Sequence, residues 1–257
     1  VRAVDDATGS GLNPCCQPTE RLRYDGVDQL IEVMRHIVAE LSADPELFKS
    51  DIDSAFRRVP IDPEHRWAAH VAFAHEGVTY CSEHYCMPFG TTAAVHAWDR
   101  VASFLAFLAR KLLHIPLLKY VDDFFSAVRR GAASHAMSCF ARLVRVLLGE
   151  TAIAEHKLES GNPLVVLGLC IAPGSLSVKC SPSTQNRMKW LQRIDSALES
   201  GVLCPSQASK LAGALSWMSH SVFHRVGRAM LIPLFARSNR SAKRKSSMLV
   251  KDSPLIS

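Results

Sequence analysis

The eight cysteines, at positions 15, 16, 81, 86, 139, 170, 180 and 204, include no Cys-x-x-Cys pair. That removes the commonest thiol-based metal and redox motifs, and scattered cysteines in a chain of this size read as reduced, partly buried thiols of an intracellular protein. No uncharged apolar run reaches the length a membrane span requires, so no transmembrane helix is expected. No basic segment followed by an apolar stretch opens the chain, and no internal repeat or extended low-complexity region stands out. The expectation is an intracellular protein, cytoplasmic or nuclear, neither secreted nor membrane-bound. Its first residue is Val, so it also reads as a fragment.

What is present is enough for a substantial core: 257 residues, 48% of them hydrophobic. The net charge of +6 favours a polyanionic partner. Arg225, Arg228, Arg237, Arg240, Lys243, Arg244, Lys245 and Lys251 crowd the final stretch. Such a tail gains affinity for a nucleic-acid backbone by releasing counterions, with no sequence preference. A solvated terminus or a localisation signal explains the same charge run.

Apolar periodicity supplies the elements. Leu30, Ile31, Met34, Ile37, Val38 and Leu41 recur at helical spacing and predict a helix over 25–42, ended by Asp44-Pro45. Segments 68–73 and 78–81 read as a strand pair turning at Glu76-Gly77. Gly90 opens a predicted helix to about His114, before Pro116. Residues 117–121 and 124–128 form a predicted hairpin, 132–148 a helix, and 164–180 a second hairpin around Pro173-Gly174. Helices follow over 183–200, 205–220 and 222–236, the middle one with Pro205 in its first turn. His75, Cys81, His84 and Cys86 fall near the strand pair, but their spacing fits no common zinc pattern and is read as packing.

Asp122 and Asp123 sit at the tip of the first hairpin, between Leu117-Leu118 and Phe124-Phe125. Adjacent carboxylates repel, and one takes up a proton unless a cation offsets the charge. A divalent metal removes that penalty. A third carboxylate stands upstream, where the strand Leu47-Phe48-Lys49-Ser50 ends in Asp51-Ile52-Asp53. Two neighbouring strands would bring Asp51 to Asp122, the arrangement that two-metal phosphoryl transfer needs. Spacing alone leaves Asp51 and Asp53 undecided, since both lie on one face of a regular strand.

These segments resemble the motifs of reverse transcriptases, in the same order. Asp51–Ile61 looks like motif A, Met87-Pro88-Phe89-Gly90-Thr91-Thr92-Ala93 like motif B, and Tyr120-Val121-Asp122-Asp123 like the Tyr-x-Asp-Asp of motif C. Glu155-His156-Lys157-Leu158 resembles motif D and Val166-Leu167-Gly168-Leu169-Cys170 motif E. Arg2-Ala3-Val4-Asp5-Asp6, followed by Asn13, is similar to the fingers motif preceding a family Asn. The Pro-Phe-Gly of motif B and the helical tail look most like enzymes of tyrosine-recombinase retrotransposons, the DIRS-like group.

The resemblance implies an α+β right-hand polymerase: fingers and palm over 1–180 with an antiparallel palm sheet backed by helices, a thumb-like helical region over 181–237, and a basic, flexible tail over 238–257. It implies RNA-directed DNA synthesis on an RNA or DNA template with primer, using deoxynucleoside triphosphates and two Mg²⁺ ions, for which Mn²⁺ can substitute. Metal ligands are then Asp51, the Ile52 carbonyl, Asp122 and Asp123, which resolves the choice against Asp53. Lys157 corresponds to the lysine that protonates departing pyrophosphate. Arg2, Ile52, Ser54, Ala55, Phe56, Phe89, Gly90 and Tyr120 correspond to positions contacting substrate. Arg2 clamps the triphosphate and Phe56 is the aromatic gate that would clash with a 2′-hydroxyl. Phe89 stands where retroviral members carry Gln, so a side-chain hydrogen bond is lost there, while close backbone approach at Gly90 is kept. The second reading is a catalytically silent nucleic-acid-binding remnant of such an enzyme. An RNA-templated RNA polymerase is disfavoured by Phe56.

Overall fold

The computed structural model describes residues 6–174, 177–221 and 223–239. It is an α+β protein that divides into two compact units, Val1–Asn162 and Pro163–Ser257.

The first unit is organised around a four-stranded antiparallel sheet. A short helix α1 (Leu12–Cys15) precedes α2 (Val27–Leu41), whose Leu30, Met34 and Ile37 are buried as their spacing predicts. The start of α2 is closed by Gln29, whose Oε1 accepts Gly26 N–H at 2.8 Å. Then come β1 (Pro45–Asp51) and a separate hairpin of β2 (His70–His75) and β3 (Val78–Glu83), turning at Glu76-Gly77 with both residues at positive φ. The long helix α3 spans Thr92–Leu112. It begins two residues after Gly90 because Thr91 caps it, its Oγ1 accepting from Ala94 N–H at 3.3 Å.

Strands β4 (Leu118–Tyr120) and β5 (Asp123–Arg129) follow, then α4 (Ala133–Leu148) and the short β6 (Glu159–Gly161), giving the order β4-β5-β1-β6. No strand at 159–161 is expected from sequence, since three residues carry too little periodicity. Phe48 of β1 and Phe124 of β5 share one apolar cluster with Trp98, Leu105 and Ala109 of α3 and Phe140 and Val144 of α4. Alternation along the strands puts Leu47, Phe125 and Ala127 on the opposite face, and all three are fully buried. The sheet is thus buried on both faces.

The second unit contains β7 (Leu164–Val166), β8 (Leu169–Pro173) and β9 (Val178–Pro182) as one three-stranded sheet rather than the expected single hairpin. An additional turn at Leu167-Gly168, both at positive φ, splits the apolar run of motif E into two strands. Helices α5 (Thr184–Ser200) and α6 (Pro205–Met218) match their expected spans, with Cys204 capping and Pro205 at the first position of α6. The predicted helix 222–236 is instead a 3₁₀ segment, Phe223–Leu231, leading into α7 (Ile232–Ser238). Pro233, near the start of α7, has no N–H to continue a helix from the preceding turn.

Candidate active site

The chain brings the three predicted carboxylates to one edge of the sheet. Asp51 is the last residue of β1, Asp123 the first of β5, and the two are directly opposed in the antiparallel register. Opposed residues share a face, so their side chains meet where the strands end. Asp122 adjoins them in the two-residue turn between β4 and β5, and its carbonyl accepts Ile52 N–H at 3.2 Å. The strand does not stay regular past Asp51. Ile52 bridges to Ile153, Asp53 N–H donates to the Ala152 carbonyl at 2.9 Å, and Ser54 has φ +54.

That break separates Asp51 from Asp53. Asp53 is engaged elsewhere: its Oδ2 accepts from Ser54 Oγ at 3.1 Å and lies 3.7 Å from the Arg58 guanidinium. Arg58 in turn donates to the Thr151 carbonyl at 2.6 Å, fixing the chain beyond motif A. Asp51 is 8% exposed, and its Oδ2 accepts from Lys157 Nζ at 2.8 Å.

Electrostatics at this edge are unfavourable in the way the sequence suggests. Burial, then the charges of Asp122 and Asp51, push the Asp123 carboxyl up to about 6, against the pull of Lys157 and Lys49. An excess of negative charge around oxygen donors is the chemistry that suits Mg²⁺ or Mn²⁺. Among the described residues, no three His, Cys, Asp or Glu side chains form a group that could hold a metal ion, the three acids as placed included. The His75, Cys81, His84 and Cys86 set likewise forms no such group, and all eight cysteines are free thiols.

The other predicted residues make contacts of their own. Phe56, in a 3₁₀ turn over Ala55–Arg58, packs edge-on against Phe89 with ring centroids 5.3 Å apart. Ala55 is buried. Gly90 has φ +99, and its carbonyl accepts Asn13 Nδ2–H at 2.9 Å, while Asn13 Oδ1 accepts Thr92 N–H at 2.7 Å. Asn13 therefore braces both sides of the motif B turn. The Tyr120 ring lies 5.2 Å from that of Tyr24. Arg2 lies outside the described residues, as do Arg240, Lys243, Arg244, Lys245 and Lys251 of the basic tail.

Several supporting residues escape sequence reasoning. Asp25 acts as a one-residue partner to β4: its N–H donates to the Lys119 carbonyl at 2.8 Å and its Oδ2 accepts Lys119 N–H at 3.0 Å. The buried Lys119 ammonium pairs with Asp99 of α3 and donates to the Arg23 carbonyl at 3.0 Å. Trp98 Nε1–H donates to the Val121 carbonyl at 2.8 Å. A charged residue inside the apolar β4, and a Trp and Asp beside each other on α3, are the only signals the sequence carries for these contacts.

No protein-family model and no curated protein matches the chain. Among solved structures it is similar to a foamy viral protease-reverse transcriptase solved in complex with double-stranded DNA, at 14% identity and a TM-score of 0.58. The match covers 91% of this chain and 36% of that one, so the chain spans about a third of that protein's length. The likeness establishes a reverse transcriptase-like fold. No described helix is long and apolar enough to cross a membrane.

Proposed function

We propose that the chain is an RNA-directed DNA polymerase that adds deoxynucleotides to a primer 3′-hydroxyl on an RNA or DNA template. The observation that carries this reading is the direct register pairing of Asp51 with Asp123, with Asp122 adjoining in the turn. Asp51, Asp122, Asp123 and the Ile52 carbonyl would hold two Mg²⁺ ions, which supply activation of the attacking hydroxyl and charge neutralisation at the leaving pyrophosphate.

The chain's own residues take the remaining roles. Lys157, within hydrogen-bond reach of Asp51, would deliver a proton to the departing pyrophosphate, general-acid work worth roughly 10²–10⁴-fold. Phe56, supported by Phe89, excludes a 2′-hydroxyl. Ser54, Ala55 and Gly90 offer backbone at close range to the nucleotide, Arg2 grips the triphosphate, and Tyr120 lies under the primer end. The motif order supports fingers and palm through residue 180 and a thumb-like region after it. The Pro88-Phe89-Gly90 turn supports a retroelement source of the tyrosine-recombinase type, and the basic tail supports non-specific nucleic-acid contact.

The test is radiolabelled primer extension on an RNA template. Mg²⁺-dependent product from the parent, abolished by Asp122→Ala, supports the proposal. No such product, or equal product after Asp122→Ala, overturns it. Binding of RNA–DNA duplex with steep salt dependence and no extension would identify a silent scaffold instead.

A further inference from the structure

Two consecutive residues of α3 hold the β4 arm of the carboxylate-bearing hairpin and the turn residue that follows it. Trp98, 1% exposed, donates its indole N–H to the Val121 carbonyl at 2.8 Å, and Asp99 pairs with buried Lys119. Val121, whose carbonyl Trp98 holds, has φ +55. A β-branched residue at positive φ is a true conformational outlier, and it persists only where its surroundings over-determine it. The next carbonyl, that of Asp122, accepts Ile52 N–H at 3.2 Å. Both peptide oxygens around the turn are thus held from outside the hairpin.

The same arrangement occurs a second time. Leu167, the first turn residue between β7 and β8, has φ +49, and its carbonyl accepts the Trp217 indole N–H at 2.8 Å. In both tight turns a non-glycine residue takes a backbone conformation that glycine adopts freely, and in both a tryptophan holds its carbonyl.

We infer that Trp98 is a positioning residue for the carboxylate site: its N–H fixes the Val121 peptide, and through it the placement of Asp122 and Asp123 against Asp51. The inference rests on the polymerase reading for its kinetic consequence and on the carboxylate geometry alone for its cation-binding consequence. Trp98 also fills the core beneath the sheet, so the test must separate the ring from its N–H.

Replacing Trp98 with β-(3-benzothienyl)alanine keeps the ring shape and deletes the donor, while Trp98→Phe deletes both donor and volume. Mn²⁺ binding is followed by electron paramagnetic resonance of the free ion, with Asp122→Ala as the control for binding at this site. Single-nucleotide addition is measured in parallel. The benzothienyl chain is expected to bind Mn²⁺ about fivefold more weakly and to add nucleotide roughly tenfold more slowly, with nucleotide KM nearly unchanged, from the loss of one buried hydrogen bond. Adding Val121→Gly should recover most of both losses, because glycine holds positive φ without the indole. A merely structural ring would not be rescued there.

Parent-like Mn²⁺ binding and addition by the benzothienyl chain overturn the inference. So does a loss that Val121→Gly leaves in place, or a parent chain that binds no Mn²⁺. A parent that binds Mn²⁺ in a Trp98-dependent way yet adds no nucleotide overturns the polymerase reading and leaves the positioning role standing.

Discussion

Asp123→Asn should stabilise the metal-free protein by an amount that grows from about pH 3.8 and levels off above about pH 6. In the fold the Asp123 carboxyl is pushed up from 3.8 to about 6 by burial and by its neighbours Asp122 and Asp51. A raised folded pKa means that the native state binds the proton more tightly than the unfolded chain does. The resulting stabilisation is fully present below about 3.8, and it is lost as pH rises through about 6. A shift of about two pKa units corresponds to a ceiling of about 3 kcal/mol. Asp123 is only half-buried, and solvent screening brings the expected cost of its ionised form to about 1–2 kcal/mol. Asparagine has nearly the same shape and cannot ionise. Urea denaturation with chelator present should therefore give Asp123→Asn a gain of about 1–2 kcal/mol at pH 8, shrinking to a few tenths at pH 4. A gain that is equal at both pH values, or a less stable variant at pH 8, would refute the claim that charge repulsion is stored at this edge.

Other perturbations follow from the same geometry. Phe56→Ala should raise ribonucleotide use relative to deoxynucleotide by roughly 10–100-fold in kcat/KM, and Phe89→Ala by a smaller factor, since it removes only an edge-on contact worth about 0.5–1.5 kcal/mol. Unchanged sugar discrimination in both would remove the gate assignment. Lys157→Met should slow single-turnover addition about 10²-fold without weakening duplex binding; a loss confined to binding would make Lys157 a phosphate contact rather than an acid. Asp99→Asn leaves the buried Lys119 ammonium without its charge partner and should cost about 3 kcal/mol in chemical denaturation, whereas a near-neutral effect would show the pair to be dispensable.

The sequence carries the elements and the acids well, because both rest on local signals. Apolar spacing locates α2, and the Asp122-Asp123 pair between apolar runs marks the turn after β4. Spacing alone could not separate Asp51 from Asp53, since what parts the two side chains is the irregular backbone at Ile52–Ser54 and the pairing of Asp53 with Arg58. The motif E region reads as one hairpin because Leu167-Gly168 lies inside an apolar run, and only the positive φ values at both residues reveal the turn. Trp98 and Lys119 stay hidden for a different reason. Each bonds to a backbone group distant in sequence, through carbonyls that every residue possesses, so no periodicity or motif records the contact.

The most direct measurement is the rate of single-nucleotide addition to a pre-annealed DNA primer on RNA template, titrated with Mg²⁺, for the parent and for Asp51→Asn folded to the same extent. The carboxylate site predicts a rate that rises steeply with Mg²⁺ and falls by at least about 10³-fold in Asp51→Asn, the scale on which metal-centred charge stabilisation operates. Addition that ignores Mg²⁺, or survives Asp51→Asn unchanged, would contradict it.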